Sequence, residues 1–173
     1  METIFEILKY IIPALIVFFT AYFILKMQIK NDQRKRDFEL IIKNKNIVTP
    51  VRLQAYERMT LFLERISPDA LVMRFNKEKM TVKEMQNEML RTIRSEFDHN
   101  LSQQIYISPQ AWQVIKNSRE NVVKLINNAA QKFKPNDPAI NLSKSILERL
   151  MEQDQGPTKA AINYLKSEVS QYY

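Results

Sequence analysis

The chain has 173 residues, with 26 lysines and arginines against 19 acidic residues, which gives a formal net charge of +7. It contains no cysteine, so disulfides and thiolate chemistry are excluded, as is common in a reducing compartment. It contains one glycine, Gly156, whereas β-turns, phosphate-binding loops and nucleophile elbows all depend on glycine. The composition therefore predicts an all-α protein.

An uncharged apolar run near the start of the chain predicts a transmembrane anchor over residues 1–27. Residues 10–25 read YIIPALIVFFTAYFIL. As a helix at about 1.5 Å per residue, this run is roughly 24 Å long, against a hydrocarbon core of about 30 Å. A buried core helix and a cleaved secretory signal are the alternatives. The acidic start of the chain, and Lys-Met-Gln at residues 26–28 where a signal would have small residues, disfavour the signal.

Basic residues are concentrated just after the apolar run. Lys9 alone precedes it, whereas five basic residues follow it: Lys26, Lys30, Arg34, Lys35 and Arg36. Because Lys and Arg are enriched on the cytoplasmic side of membrane helices, we expect a single span of the inner (plasma) membrane with the following domain in the cytoplasm. Residues 28–48 form the predicted basic juxtamembrane helix. The basic side chains either set topology alone or also attract anionic headgroups, at about 1 kcal/mol each.

Prolines and capping residues divide the predicted cytoplasmic domain, residues 49–173, into helices. Proline is favoured at the first position of a helix, often after a Ser, Thr, Asp or Asn cap. Five prolines fit this pattern: Pro50, Pro68, Pro109, Pro138 and Pro157. Thr81 and Glu84 have the spacing of a capping box. The predicted helices cover residues 50–66, 68–74, 81–105, 109–133, 139–154 and 157–171.

Residues 81–133 are predicted to form an antiparallel helical hairpin at the centre of this helical bundle. Both helices carry an apolar stripe at three- and four-residue spacing, which marks one buried helix face. The stripes consist of Val82, Met85, Met89, Ile93 and Phe97, and of Trp112, Ile115, Val122, Ile126, Ala129 and Phe133. Folding the helices back about residues 106–108 sets Glu96 opposite Arg119, so an ion pair is predicted between them.

Five polar residues on or near these stripes form the candidate site: Glu96, Asn100, Gln103, Gln104 and Arg119. Polar groups on an apolar face cost free energy unless they are hydrogen-bonded. One interpretation is a buried, internally satisfied cluster that sets the helix register. The other is a surface groove that binds a partner chain. Leu61, on the polar face of the helix at residues 50–66, is either an ordinary exposed leucine or a partner contact.

The residue types of most catalytic and metal sites are missing. His99 is the only histidine, so a transition-metal site lacks ligands and a serine nucleophile has one possible base. Aromatic residues lie at core spacings rather than within a basic patch, which disfavours nucleic acid as a partner. We expect no enzymatic activity, no metal and no cofactor, and a solvated or capping role for His99.

Two stretches carry a family resemblance: LQAYERMTLFLERISP at residues 53–68 and SEFDHNLSQQIYIS at residues 95–108. Behind an N-terminal anchor, they resemble a family of uncharacterised small bacterial membrane proteins with a domain of unknown function. The resemblance covers most of the chain. It implies a single-pass membrane protein with a helical cytoplasmic domain, and it implies no activity and no catalytic residues.

These features favour a non-enzymatic interaction or scaffold protein at the cytoplasmic face of the bacterial inner membrane. It would bind a protein partner or form a homo-oligomer, as a subunit of a larger membrane complex. The hypothesis rests on the scarcity of catalytic residue types and the abundance of helix surface. The alternative is a basic membrane-proximal domain that binds anionic lipid or RNA, tested by the salt dependence of binding.

Overall fold

The computed structural model describes residues 2–152 and 156–172, with side chains described for residues 15–39, 42–43, 47–152 and 156–171. Within these ranges every regular element is helical, which confirms the all-α prediction. The α-helices are α1 (Glu2–Arg65), α2 (Pro68–Phe75), α3 (Val82–Asn100), α4 (Pro109–Ala130), α5 (Ala139–Met151) and α6 (Pro157–Val169). Short 3-10 helices cover Leu101–Ile105 and Ser170–Tyr172. Residues 153–154 of the predicted helix 139–154 lie outside the described residues.

The chain divides into two compact units, Met1–Thr49 and Pro50–Tyr173. In the first unit, all described side chains from residue 15 to residue 39 are exposed. Among the helices of the described residues, none combines the length and the apolar content that crossing a bilayer requires. The side chains of residues 1–14, the first half of the predicted anchor at residues 1–27, lie outside the description.

The predicted helix start at Pro50 is wrong, because α1 continues through this residue to Arg65. Proline removes one backbone hydrogen bond and crowds the carbonyl four residues earlier, at a cost of about 3 kcal/mol. A proline inside a helix therefore often kinks or breaks it. The helix can nevertheless continue when the residues on both sides of the proline keep the remaining backbone hydrogen bonds. Pro68, Pro109 and Pro157 do occupy the first turn of their helices, as predicted.

The second unit is a helical bundle with one continuous apolar core. The predicted stripe of α3 is buried from Val82 to Phe97, and Ile115, Val122, Ile126 and Ala129 of α4 are fully buried against the core. Burying each large aliphatic side chain contributes about 1.5–3 kcal/mol. α4 also contacts α5 and α6, and the Ser118 hydroxyl donates to the Pro157 carbonyl at 2.9 Å.

Helices α3 and α4 run antiparallel and contact each other at two distances from their turn. Near the turn, the rings of Phe97 and Trp112 stack with centroids 5.3 Å apart. Farther away, the Gln86 side-chain amide donates to the Asn127 side-chain oxygen at 2.9 Å. The predicted extension of α3 to residue 105 is wrong, because the α-helix ends at Asn100 and a 3-10 helix follows.

The capping box at the start of α3 is confirmed. The Thr81 hydroxyl accepts from the Glu84 backbone N–H at 3.3 Å, and the Glu84 carboxylate accepts from the Thr81 backbone N–H at 2.9 Å. The Thr81 hydroxyl also donates to the Glu84 carboxylate at 2.9 Å. The hydrogen bonds that this carboxylate accepts from the Thr81 backbone and from the Thr81 side chain hold the pKa of Glu84 below its ordinary value of 4.5. The backbone N–H of Val82 also donates to the Asp137 carbonyl at 2.8 Å, which ties this helix start to the loop before α5.

Candidate functional site

The predicted ion pair between Glu96 and Arg119 is wrong. Glu96 instead accepts from Arg65 at the end of α1, with Arg65 Nη1 3.2 Å from Glu96 Oε2. Successive residues on a helix point about 100° apart. Phe97 faces α4, so its neighbour Glu96 turns away towards α1, and the polar partner comes from a helix that the hairpin geometry did not include.

Arg119 lies over an aromatic ring rather than beside the Glu96 carboxylate. Its guanidinium carbon is 4.0 Å from the centroid of the Phe97 ring. The same ring stacks on Trp112 and meets Phe62 of α1 at 5.8 Å. Among the described side chains, the one carboxylate within 4.0 Å of the Arg119 guanidinium is that of the adjacent Glu120. A cation over an aromatic face is attracted by about 0.5–2 kcal/mol, which explains how a charged residue occupies a stripe position.

Of the remaining members of the predicted site, Asn100 bonds to the Glu96 backbone, whereas Gln103 and Gln104 lie on the following 3-10 helix. Asn100 is 7% exposed, and its side-chain amide donates to the Glu96 backbone carbonyl at 2.8 Å. This local bond competes with the helical hydrogen-bond pattern, which is consistent with α3 ending here. Gln103 donates to the Ser102 hydroxyl at 3.4 Å and Gln104 is exposed, both on the 3-10 helix.

Two of the predicted residues, Glu96 and Asn100, line a cleft of about 170 Å³ between α1 and α3. We call it the α1–α3 cleft, and its lining residues are Arg58, Leu61, Phe62, Arg65, Glu96, His99 and Asn100. Phe62 and Asn100 are buried and form its floor. This volume is below the roughly 300–1,000 Å³ of small-molecule pockets, so the cleft suits a single side chain rather than a cofactor.

The rim of the α1–α3 cleft combines an apolar side chain with cationic ones. Arg58, Leu61 and Arg65 are three and four residues apart, so they share one face of α1. Leu61 is 50% exposed, and the Arg65 side chain is 56% exposed although it pairs with Glu96. Within the part of the chain that the structure describes, neither Arg58 nor His99 has an ion-pair or hydrogen-bond partner. The rim therefore sets two arginines around an exposed leucine, and one of them, Arg58, has no ion-pair partner among the described side chains.

The sequence contained a partial signal for this cleft. The Glu-Arg pairs at residues 57–58 and 64–65 recur at a seven-residue spacing, which places Arg58 and Arg65 on one face with Leu61 between them. By themselves these charges predict a solvated face. Only the packing of α1 on α3 brings His99 and Glu96 to it. Among the described residues, no group of three His, Cys, Asp or Glu side chains is placed to hold a metal ion.

The five basic residues after the apolar run all lie on α1 with exposed side chains. Lys26, Lys30 and Arg34 are four residues apart and form one stripe along the helix. The Arg36 guanidinium donates to the Asp32 backbone carbonyl at 3.3 Å, and Lys26 lies 5.8 Å from the centroid of the Tyr22 ring. None of the five pairs with a carboxylate among the described side chains.

Comparison with known proteins gives a family and no activity. No curated protein and no solved structure matches the chain. One family model matches residues 2–172, which covers both compact units, the α1–α3 cleft and the basic stretch. The chain therefore belongs to the family of unknown function DUF7935.

Proposed function

We propose that this protein is a non-enzymatic, membrane-anchored interaction module that binds a segment of a partner protein in the α1–α3 cleft. The observation that carries the proposal is the half-exposed Leu61, which lies between Arg58 and Arg65 on α1 and lines the same cleft as the buried Phe62. Interaction sites concentrate their energy in a few apolar anchors surrounded by polar groups, with arginine among the enriched types.

Charge indicates the chemistry of the partner segment. Arg65 is partly neutralised by Glu96, whereas Arg58 and His99 have no acidic partner among the described side chains. An Asp or Glu on the partner would complement Arg58, and an adjacent apolar side chain would cover Leu61. The cleft volume of about 170 Å³ allows one such side chain to enter. We therefore propose a short acidic segment with one apolar anchor residue.

The membrane anchor is proposed over residues 1–27, with the second unit at the cytoplasmic face of a bacterial inner membrane. Support comes from the uncharged run at residues 10–25 and from the basic residues that follow it. The described part of the proposed anchor also carries large apolar side chains that are all exposed: Leu15, Ile16, Val17, Phe18, Phe19, Tyr22, Phe23, Ile24 and Leu25. A helix that is apolar all round is typical of one covered by an apolar environment.

Partner binding is tested by photo-crosslinking from the full chain. A photoreactive phenylalanine analogue replaces Leu61, or replaces Met73 as the matched control, which is 84% exposed on α2. We expect one defined adduct from position 61 and none at that mass from position 73. Arg58→Glu should reduce the adduct about fivefold, which corresponds to about 1 kcal/mol for an exposed ion pair. Equal adducts from both positions, or an adduct insensitive to Arg58→Glu, would contradict the proposal.

The anchor and its orientation are tested by thiol labelling, because the chain has no native cysteine. Glu2→Cys and Met73→Cys are made separately in the full chain and exposed to a membrane-impermeant maleimide. In intact spheroplasts we expect labelling of residue 2 alone, and labelling of residue 73 only after lysis. Equal accessibility of the two cysteines, or release of the protein from membranes at alkaline pH, would refute the anchor.

A second candidate function is binding of anionic lipid by the basic residues after the apolar run. The stripe of Lys26, Lys30 and Arg34, without a described acidic partner, favours it. The full chain is placed in nanodiscs of phosphatidylglycerol or of phosphatidylcholine, and lysine acylation is followed by mass spectrometry. We expect slower acylation of Lys30 in the anionic discs, reversed by salt, with exposed Lys83 as the control. Equal rates in both lipids would exclude it.

A further inference from the structure

A second and larger surface groove lies where the α1–α2 junction meets α5 and α6. Its volume is about 650 Å³ and its lining includes Leu147, Leu150, Met151 and Ile162. Met151 is 87% exposed and Leu147 is 40% exposed, which leaves apolar surface uncovered. We call it the α5–α6 groove. It shares no lining residue with the α1–α3 cleft.

Charged residues of opposite sign line the α5–α6 groove. Glu64 and Asp69, at the end of α1 and the start of α2, form its acidic wall, and Lys159 and Lys166 of α6 form its basic wall. The two lysines are seven residues apart and so lie on one face of α6, two turns from each other. None of the four makes an ion pair within 4.0 Å among the described side chains. The groove therefore presents acids and bases that have no ion-pair partner among the described side chains, around exposed apolar side chains.

We propose that a second copy of this chain docks in the α5–α6 groove and forms a two-fold symmetric homodimer. In such an interface each surface patch meets the same patch of the other copy, so the patch must complement itself. A two-fold axis at the groove sets the acidic wall of each copy against the basic wall of the other. It also brings the exposed Leu147 and Met151 side chains of the two copies together. Methionine packs adaptably, which suits the centre of such a contact.

This charge arrangement separates a second copy from partners of a single charge. A uniformly acidic segment would meet repulsion at Glu64 and Asp69, and a uniformly basic one at Lys159 and Lys166. A second copy places charges of opposite sign against both the acidic wall and the basic wall, so no additional partner is required. The inference goes beyond the partner site proposed above, because it names another surface and another occupant.

The test uses disulfide crosslinking of the full chain in mild detergent, with no native cysteine to interfere. Met151→Cys reports the groove, and Met73→Cys, 84% exposed on α2 and outside the groove, is the matched control. We expect a crosslinked dimer from Met151→Cys that is at least about tenfold more abundant than that from Met73→Cys. Equal yields from the two positions would overturn the proposal, as would a crosslink from position 151 to an unrelated protein.

Charge reversal then tests the two-fold arrangement. One variant carries Glu64→Lys with Asp69→Lys, and the other carries Lys159→Glu with Lys166→Glu, each in the Met151→Cys background. Each variant alone places like charges together, so we expect its dimer yield to fall about tenfold. Mixing the two variants should restore a heterodimer, identified by tags of different mass. Retained homodimers, or no heterodimer from variants with the circular dichroism of the parent, would overturn the proposal.

The two proposals fail separately. Charge reversal in the α5–α6 groove should leave the photo-adduct at position 61 unchanged. If the dimer is lost and the adduct at position 61 remains, only the homodimer proposal is refuted. If the dimer persists and no adduct forms at position 61, only the proposed partner site in the α1–α3 cleft is refuted.

Discussion

Double-mutant cycles at Arg119 test which group holds this charged side chain in the core stripe. The first cycle combines Arg119→Met with Phe97→Leu, and the second combines Arg119→Met with Glu96→Gln. Arg119 lies 4.0 Å above the Phe97 ring, Phe97 is 8% exposed and the Arg119 side chain is 28% exposed. For a partly desolvated cation over an aromatic face, we expect a coupling free energy of about 1 kcal/mol. Methionine retains most of the apolar stem of arginine, so the cycle isolates the guanidinium group.

For the Glu96 cycle we expect coupling below about 0.3 kcal/mol, since these residues form no ion pair and Glu96 is bound to Arg65. The free energy of unfolding is measured by urea denaturation with circular dichroism. The fluorescence of Trp112, the only tryptophan, provides a second probe at the Phe97 ring. A larger coupling of Arg119 with Glu96 than with Phe97 would refute the conclusion that the Phe97 ring holds Arg119. It would instead support an ion pair between Glu96 and Arg119 across the hairpin.

Four further stability measurements follow from the contacts. Thr81→Ala removes the cap of α3 and should cost about 1 kcal/mol in urea denaturation. The pKa of Glu84 is lowered in the folded state, so its stabilising effect is present above pH 4.5 and is lost as pH falls through the lowered value. The difference in unfolding free energy between the parent and Glu84→Gln should therefore shrink in acid, and a constant difference would contradict this. Arg65→Ala should cost less than about 1 kcal/mol because that side chain is 56% exposed. Ser118→Ala should cost about 1–2 kcal/mol, since it leaves the Pro157 carbonyl without its buried donor.

Local features of the fold could be predicted because their causes lie within a few residues. The capping box needs Thr81 and Glu84 three positions apart, and both the hydrogen bonds and the lowered Glu84 pKa follow from that spacing. Pro68, Pro109 and Pro157 mark helix starts for a similar reason, because proline is favoured in the first turn of a helix and disfavoured in the later turns. The apolar stripes of α3 and α4 required no more than helical periodicity.

Errors arose where a local signal has two possible outcomes. A threonine followed by proline at residues 49–50 fits a helix start, and it also fits a proline within a longer helix such as α1. Asn100 continues the predicted helix by periodicity. Its side chain, however, bonds to the Glu96 carbonyl, and a 3-10 helix begins at the next residue. In both cases the competing backbone states differ by only a few kcal/mol, and the rest of the chain selects between them.

The sequence by itself determined the helical class, the caps, the buried stripes and the hairpin, because these depend on periodicity and on short-range hydrogen bonding. Tertiary structure decided the contacts of Glu96 and Arg119. Arg65 reaches Glu96 from a residue 31 positions away, and Arg119 settles on the Phe97 ring instead of a carboxylate. The α1–α3 cleft and the α5–α6 groove are likewise products of packing, since each is lined by helices that are separate in the chain. A helical wheel gives the direction of a side chain, whereas the contacts it makes depend on which helix packs against that face.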